Sequence, residues 1–413
     1  MGTGRGTALS ATEEKQRPNP AWSDGRIVGL DMARWLALVG MIATHALRPV
    51  EASGHATLVE SVAAGRSSAL FAVLAGVSLA LMSGGPRPLS GPELRSVAAG
   101  LAVRAVLIGI VGLLLAGLGT LIAIILTYYA VLFVAGLPFL RLRARTLAVL
   151  AGVWIVAGPL LSHLIRPALA AQGLPEVNVA SPRFVDLERP LNLLVVVVFT
   201  GWYPVFTWLA YLLLGLALGR SRLDRVRTAL AVLGSGAALA VAASTVSDWL
   251  LARPGAFTAL GVTMVSPPAR DDLVATLELG LTGTTPTGST WWLAIDAPHS
   301  GTPLDLALTG GSALAVIGAC LLVTRLAPRV FAVVFGAGAM PLTLYCVHIV
   351  LRTPGLLDDD SPAVFWLHVL TVTLIGSWFR SLGLKGPLEA VVARASGVVR
   401  RTVAGRESAT RPS

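Results

Sequence analysis

Lysine is almost missing from this chain: only Lys15 and Lys385 occur, so arginine carries nearly all of its positive charge. Cysteine is as scarce. Cys320 and Cys346 both fall inside apolar runs, which supports neither a disulfide framework nor a thiolate zinc site. Charge of either sign is thin, 13% of residues against 54% hydrophobic, and a soluble chain of 413 residues could not keep such long apolar runs from water. No Walker loop, dinucleotide-binding glycine pattern in a βαβ setting or zinc-protease helix occurs, which argues against ATP-driven transport by this chain alone. Residues 1–25 are polar, without an apolar h-region or cleavage site, and read as a disordered cytoplasmic leader rather than a signal peptide.

What the chain does have is ten apolar segments of bilayer-crossing length: 27–46, 67–84, 96–116, 119–138, 146–165, 193–219, 228–247, 304–325, 330–351 and 362–379. The run Leu121 to Leu126 is apolar on every side, unlike the alternation of a barrel strand. The expected fold is therefore all-α, a polytopic membrane bundle of about ten helices spanning 26–380, followed by a basic cytoplasmic tail over 381–413. Arginines gather between spans two and three (Arg87, Arg95), four and five (Arg141, Arg143, Arg145), six and seven (Arg220, Arg222, Arg225, Arg227) and eight and nine (Arg325, Arg329). Short cytoplasmic loops retain arginine, so these loops and both termini are expected inside. The net charge of +10 then needs no nucleic acid. The longest connections, 47–66, 166–192, 248–303 and 352–361, fall outside, and Asp271, Asp272, Glu278, Asp296 and Asp358 to Asp360 collect there.

Asp31 and Arg34 lie three apart at the cytoplasmic mouth of span one, on one helical face, where they can pair with each other or with a polar ligand. Arg104 falls inside span three, as Asp31's partner or as a phosphate binder. His45, His55, His299 and His348 gather on the external side, where imidazoles suit proton transfer near neutrality. None of them stands at i, i+4 spacing, and a zinc site would need three protein ligands, so no metal is expected. His163 and His368, without a neighbouring motif, read as packing residues. The loop carrying Trp291, Trp292, Asp296 and His299 has the aromatic and hydroxyl content of a sugar-binding surface, and an interfacial aromatic belt explains the two tryptophans equally well.

Three patches resemble the transmembrane acetyltransferases typified by lysosomal heparan-α-glucosaminide N-acetyltransferase and their bacterial relatives. Leu30, Asp31, Met32, Ala33 and Arg34 look like the family's LDxxRG signature, with Trp35 in place of the usual glycine. His55 precedes Gly76 at the separation of the family's catalytic histidine from the glycine of its second span. The stretch Met340 to His348 resembles the PxxLYxxH segment, which carries over Pro341, Tyr345 and His348, and Gly386 to Glu389 matches the closing GPLE of the bacterial branch. Residues 120–330 match in hydropathy alone. The sequence after His55 departs from the lysosomal enzyme, which points to a different sugar acceptor.

The resemblance implies an acyltransferase that takes acetyl-CoA from the cytosol and acylates an external, carbohydrate-like acceptor. His55 would act as catalyst, with His348 and Tyr345 orienting the acceptor or stabilising an oxyanion. Arg34, Arg104 and Arg95, beside Asp31, would hold the donor's phosphates, and Trp291, Trp292, Asp296 and His299 the acceptor. The expected partners are membrane lipid and a small-molecule or glycan acceptor, with a homodimer allowed. The arginine-rich composition suggests a bacterial protein of a GC-rich genome, hence the cytoplasmic membrane. The competing reading is a carrier or flippase for a lipid-linked sugar or small metabolite, which needs broken helices; the Gly310-Gly311 and Gly336 to Gly338 stretches could break spans or simply permit close packing.

Overall fold

The computed structural model describes residues 22–23, 26–176, 180–264 and 269–409. The leader expected over 1–25 lies outside the described residues except for Trp22 and Ser23, which pair antiparallel with Ile27 and Arg26. Beyond that pair the chain is built of helices. Helix α1 (Val28–Ala46) is followed by a short α2 (Leu58–Ala63), then α3 (Arg66–Met82), α4 (Gly91–Ala116), α5 (Leu126–Gly136) and α6 (Ala144–Ala170). Next come α7 (Pro190–Val195), α8 (Val205–Gly219), α9 (Val226–Leu251), two short helices α10 (Ala256–Gly261) and α11 (Arg270–Leu279), and α12 (Pro303–Val323). The last four are α13 (Pro328–Val334), α14 (Pro341–Leu351), α15 (Pro362–Ser381) and α16 (Pro387–Ala409), the last occupying most of the expected basic tail. Proline, whose missing N–H costs nothing at the first helical position, opens α12, α14 and α15. The hydroxyls of Thr302 and Ser361 cap two of these helices, accepting from Asp305 N at 3.0 Å and Val364 N at 3.3 Å.

Among the described residues, six helices are long and apolar enough to cross a membrane, seven when the bent pair Pro190–Thr200 and Val205–Gly219, angled by 54°, counts as one span. These coincide with seven of the ten expected segments. The other three are helical but fall short for separate reasons. Helix α1 carries Asp31, Arg34 and His45 within its 19 residues. The segment expected from residue 119 stays non-helical until Leu126 and continues only to Arg141. The segment 330–351 is broken by a 3-10 turn at Gly336–Ala339. Leu164, Val241 and Leu374 stand 70%, 67% and 66% exposed on the outer faces of α6, α9 and α15, a placement that suits lipid and not water.

At the centre, α1 packs against α3, α12, α15 and the broken α13 to α14 unit. Helices α3 and α8 cross on glycines: a Cβ on Gly215 would strike the carbonyl of Val73, and one on Gly76 the carbonyl of Leu212. Gly310 and Gly311 lie inside an unbroken α12, whereas Gly336 to Gly338 form the break before α14. That break lets Gly338 press onto the backbone carbonyl of Asp31, so α14 begins directly against α1. The connection after α9, expected as a plain external loop, is a folded insert with its own small core of Leu260, Leu273, Trp292, Ile295 and Ala297.

Candidate functional site

Helix α1 has a charged N-terminal end and a histidine at its C-terminal end, and cavities cluster at both. At the first, the Asp31 carboxylate receives Arg26 at 2.9 and 2.8 Å and Arg34 Nη1 at 2.7 Å. The i, i+3 pair read from the sequence is thus formed, and Arg26 joins it. Arg34 reaches on to Ser78 Oγ of α3 at 3.0 Å. Arg104 makes no pair with Asp31; its Nε is buried without a hydrogen-bond partner among the described residues. Arg34 and Arg104 instead line one cavity of about 80 Å³ with Ser78, Tyr129, Pro341 and Tyr345. That is room for two or three waters, or for the acyl end of a thioester, and not for a nucleotide. Arg95 is exposed in the first turns of α4, outside this cavity.

Tyr345 of α14 also lines a second cavity, of about 30 Å³, together with His45, His299, Tyr203, Ser67 and Ser68. The partition between the two is built of hydrogen bonds. Tyr345 Oη accepts from Ile125 N at 3.4 Å, and Tyr129 Oη donates to Ser68 O at 3.2 Å. Glu389 of the GPLE stretch anchors this region from the other end of α14: its carboxylate accepts from Leu342 N at 2.7 Å, Thr343 N at 3.1 Å and Thr343 Oγ1 at 2.5 Å. A carboxylate at a helix N-terminus meets both free N–H groups and the positive end of the dipole. Its field also reaches Arg26 and Arg104.

His299 is held in the left-handed region, φ 56°, the single non-glycine residue there among those described. Its Nε2 accepts from Gly65 N at 3.2 Å. Burial lowers its pKa to about 4, so near neutrality the ring carries its proton on Nδ1, which is buried with no partner among the described residues. On the far side of the contact between Gly65 and Pro298 lies a larger cavity of about 490 Å³, lined by Arg66, Asp248, Phe257, Arg270, Glu278 and Asp296. Burial pushes the Asp296 carboxyl up. This volume falls within the range of small-molecule sites.

The sequence-derived candidates therefore divide among three places. Arg34, Arg104 and Tyr345 meet at the first cavity, Tyr345 and His299 at the second, and Asp296 at the third. Trp292 is fully buried in the core of the insert, where its Nε1 donates to Thr263 Oγ1 at 2.7 Å, and Trp291 packs beside that core. His55 is exposed, with Nδ1 3.0 Å from Glu278 Oε2, so it stands at the rim of the third cavity rather than in the second. His348 is buried one layer behind His45. The sequence groups His45 with the external histidines and gives it no separate role; its position in the last turn of α1 is the signal that could single it out. His368, read as packing, touches His348, which no spacing in the sequence announces.

A comparison with curated proteins finds no match. The sequence profile of the family described as "Heparan-alpha-glucosaminide N-acetyltransferase, catalytic" matches residues 26–252, from the Asp31 cluster through Gly76 to the end of α9, more than half of the chain. The protein therefore belongs to the heparan-alpha-glucosaminide N-acetyltransferase catalytic family, as a multi-pass membrane acyltransferase.

Proposed function

We propose that this acyltransferase moves an acetyl group from cytosolic acetyl-CoA to an extracytoplasmic, carbohydrate acceptor, through a ten-span bundle of the bacterial cytoplasmic membrane with both termini inside. The observation that carries the reading is Tyr345, one side chain lining both the arginine cavity and the histidine cavity. A donor entering at the N-terminal end of α1 would place its thioester in the arginine cavity, where Arg104 and Arg34 offer planar guanidiniums to its anionic groups. Arg95, exposed on the same helix as Arg104, meets the part of the nucleotide that stays outside.

The thioester carbonyl then faces Tyr345, which keeps its own proton to donate, and the His299 Nδ1–H lines the cavity beyond. Two neutral donors at that point would stabilise the oxyanion of a tetrahedral intermediate. A histidine takes the proton of the attacking hydroxyl or amine. The acceptor occupies the outer cavity, whose carboxylates Asp248, Glu278 and Asp296 and ring of Phe257 suit hydroxyl groups and the apolar face of a sugar. His55, paired with Glu278, helps receive it there.

The carrier reading finds its required broken helices in the bent α7 to α8 pair and the turn at Gly336–Ala339. Donor binding separates the two. In detergent, acetyl-CoA and CoA should each raise the apparent melting temperature, because a ligand of the folded state stabilises it by about 2.7 kcal/mol at a hundredfold excess over Kd. Arg104→Ala should weaken the shift. No shift at millimolar ligand, together with solute flux into vesicles lacking any acyl donor, would overturn the acyltransfer reading in favour of a carrier.

A further inference from the structure

Behind the histidine cavity runs a row of imidazoles to which the transfer chemistry described so far assigns no role. His45 Nδ1 lies 3.0 Å from His348 Nε2, and His348 Nδ1 lies 2.9 Å from His368 Nδ1. The residues come from three helices, α1, α14 and α15, and both His348 and His368 are fully buried. The rings form a line and not a tripod, and among the described residues no three His, Cys, Asp or Glu side chains stand as metal ligands. Because Nδ1 of His45 is taken by His348, Nε2 is the ring nitrogen left for the cavity that His45 lines.

A neutral imidazole has one N–H and one bare nitrogen, so three in a row must all point their hydrogen bonds the same way. In one direction His45 Nδ1–H donates to His348 Nε2, His348 Nδ1–H donates to His368 Nδ1, and His45 Nε2 is bare. In the other direction His45 presents an N–H to the cavity. Among the described residues, the one permanent positive charge that acts on all three rings is Arg352. Arg352 itself is held at the end of α14 by Asp360 Oδ1 at 2.7 Å and the carbonyls of Leu357 and Asp359.

We propose that His45 is the general base of the acyl transfer and that His348 and His368 are its positioning residues, an imidazole chain that presents a bare Nε2 to the acceptor. The inference rests on the acyltransfer reading above. For a hydroxyl acceptor, the O–H bond breaks as the His45 Nε2–H bond forms, and the oxygen bonds to the thioester carbonyl carbon. The C–S bond then breaks with its electron pair on sulfur, and the Nε2 proton passes to that sulfur to give the free thiol. While His45 is charged, its Nδ1–H shifts toward His348, and the chain spreads a charge that burial would otherwise forbid. The cation lasts only for the step, as the nearby Arg352 requires.

The test is release of free thiol from acetyl-CoA by the purified protein, with glucosamine as the probe acceptor, across a pH series. His45→Gln should lower kcat by at least about a hundredfold with the KM for acetyl-CoA unchanged. His368→Leu, which leaves His348 without its acceptor, should lower kcat by about tenfold and move the acid limb of the kcat profile. His368→Asn, whose Oδ1 can accept where Nδ1 did, should restore most of both. Retention of the acetyl-CoA melting shift shows that each variant is folded. If His45→Gln keeps kcat within threefold of the parent, or if Leu and Asn at 368 fall alike with an unmoved acid limb, the proposal is overturned while acyl transfer stands. If the parent protein itself releases no thiol, the acyltransfer reading fails and this proposal with it.

Discussion

Removing Glu389 tests whether the tail after the last span is part of the site's scaffold. Its carboxylate is the acceptor for two backbone N–H groups and one hydroxyl at the first turn of α14, the helix that carries Tyr345 and His348. Glu389→Ala leaves Leu342 N and Thr343 N without their partner, at about 1 to 3 kcal/mol for each such group that stays dry. It also removes a favourable charge at a helix N-terminus, worth about 0.3 to 1 kcal/mol. Partial access of water to these half-buried groups brings the sum to roughly 3 kcal/mol. At about 2.1 cal/mol/K per residue, a chain this long converts 3 kcal/mol into a fall of roughly 3 to 4 °C in melting temperature. Glu389→Gln keeps one acceptor oxygen and should lose about half as much. Both variants would be followed by melting in detergent and by acetyl transfer, and activity should fall further than the lost stability explains, because Tyr345 shifts with its helix. An Ala variant that melts with the parent protein and keeps its activity would refute the idea that GPLE braces α14, and would leave α16 as a passive tail.

Asp31→Asn leaves Arg34 without its carboxylate in a largely buried position, which should cost about 3 kcal/mol and shrink the acetyl-CoA melting shift. An unchanged shift would show that the Asp31 cluster does not serve the donor. Gly215→Ala places a methyl group against the Val73 carbonyl, and overpacking of this kind costs about 1 to 3 kcal/mol, read as loss of monodisperse protein on size exclusion; a variant as stable as the parent would mean that α3 and α8 can separate freely. For His299 the folded value of about 4 lies below the ordinary 6.5, so the unfolded chain takes up a proton first. The stability contributed by the neutral ring is whole above about pH 6.5 and is lost as pH falls toward 4, by on the order of 3 kcal/mol. The difference between the parent and His299→Gln isolates this slope from that of Asp296, whose raised value works in the opposite sense. Parallel melting curves for the two proteins over that range would refute it.

Hydropathy is a local property, and what depended on it was legible. Seven of the ten expected segments are spans by length and composition, and the Asp31 and Arg34 pair follows from a spacing of three on one helix. What sequence could not show is where the breaks fall. Gly336 to Gly338 allow two readings because glycine serves close packing and helix breaking alike, and here they do both, forming the 3-10 turn while Gly338 packs on the Asp31 carbonyl. Arg220, counted among the loop arginines, is buried against the carbonyls of Ala80, Ser83 and Gly85, where it caps the end of α3 and no longer faces solvent.

The histidines show the same division in sharper form. His55 matches the family's spacing to Gly76, yet the eight residues 47–54 separate His55 from the end of α1 and swing it out to Glu278. His45 remains on the helix and is fixed in depth by it. Its partner His348 is 303 residues away and reaches it only because the turn at Gly336–Ala339 restarts a helix against α1. The break that shortens span nine is therefore what places Tyr345 between the two cavities and His348 behind His45. A ninth span left straight and unbroken would satisfy hydropathy better and would leave Arg104 and His45 on opposite sides of a solid bundle. On the proposed transfer route, the loss of a clean span at this position is what brings the donor cavity and the histidine cavity to one shared side chain, Tyr345.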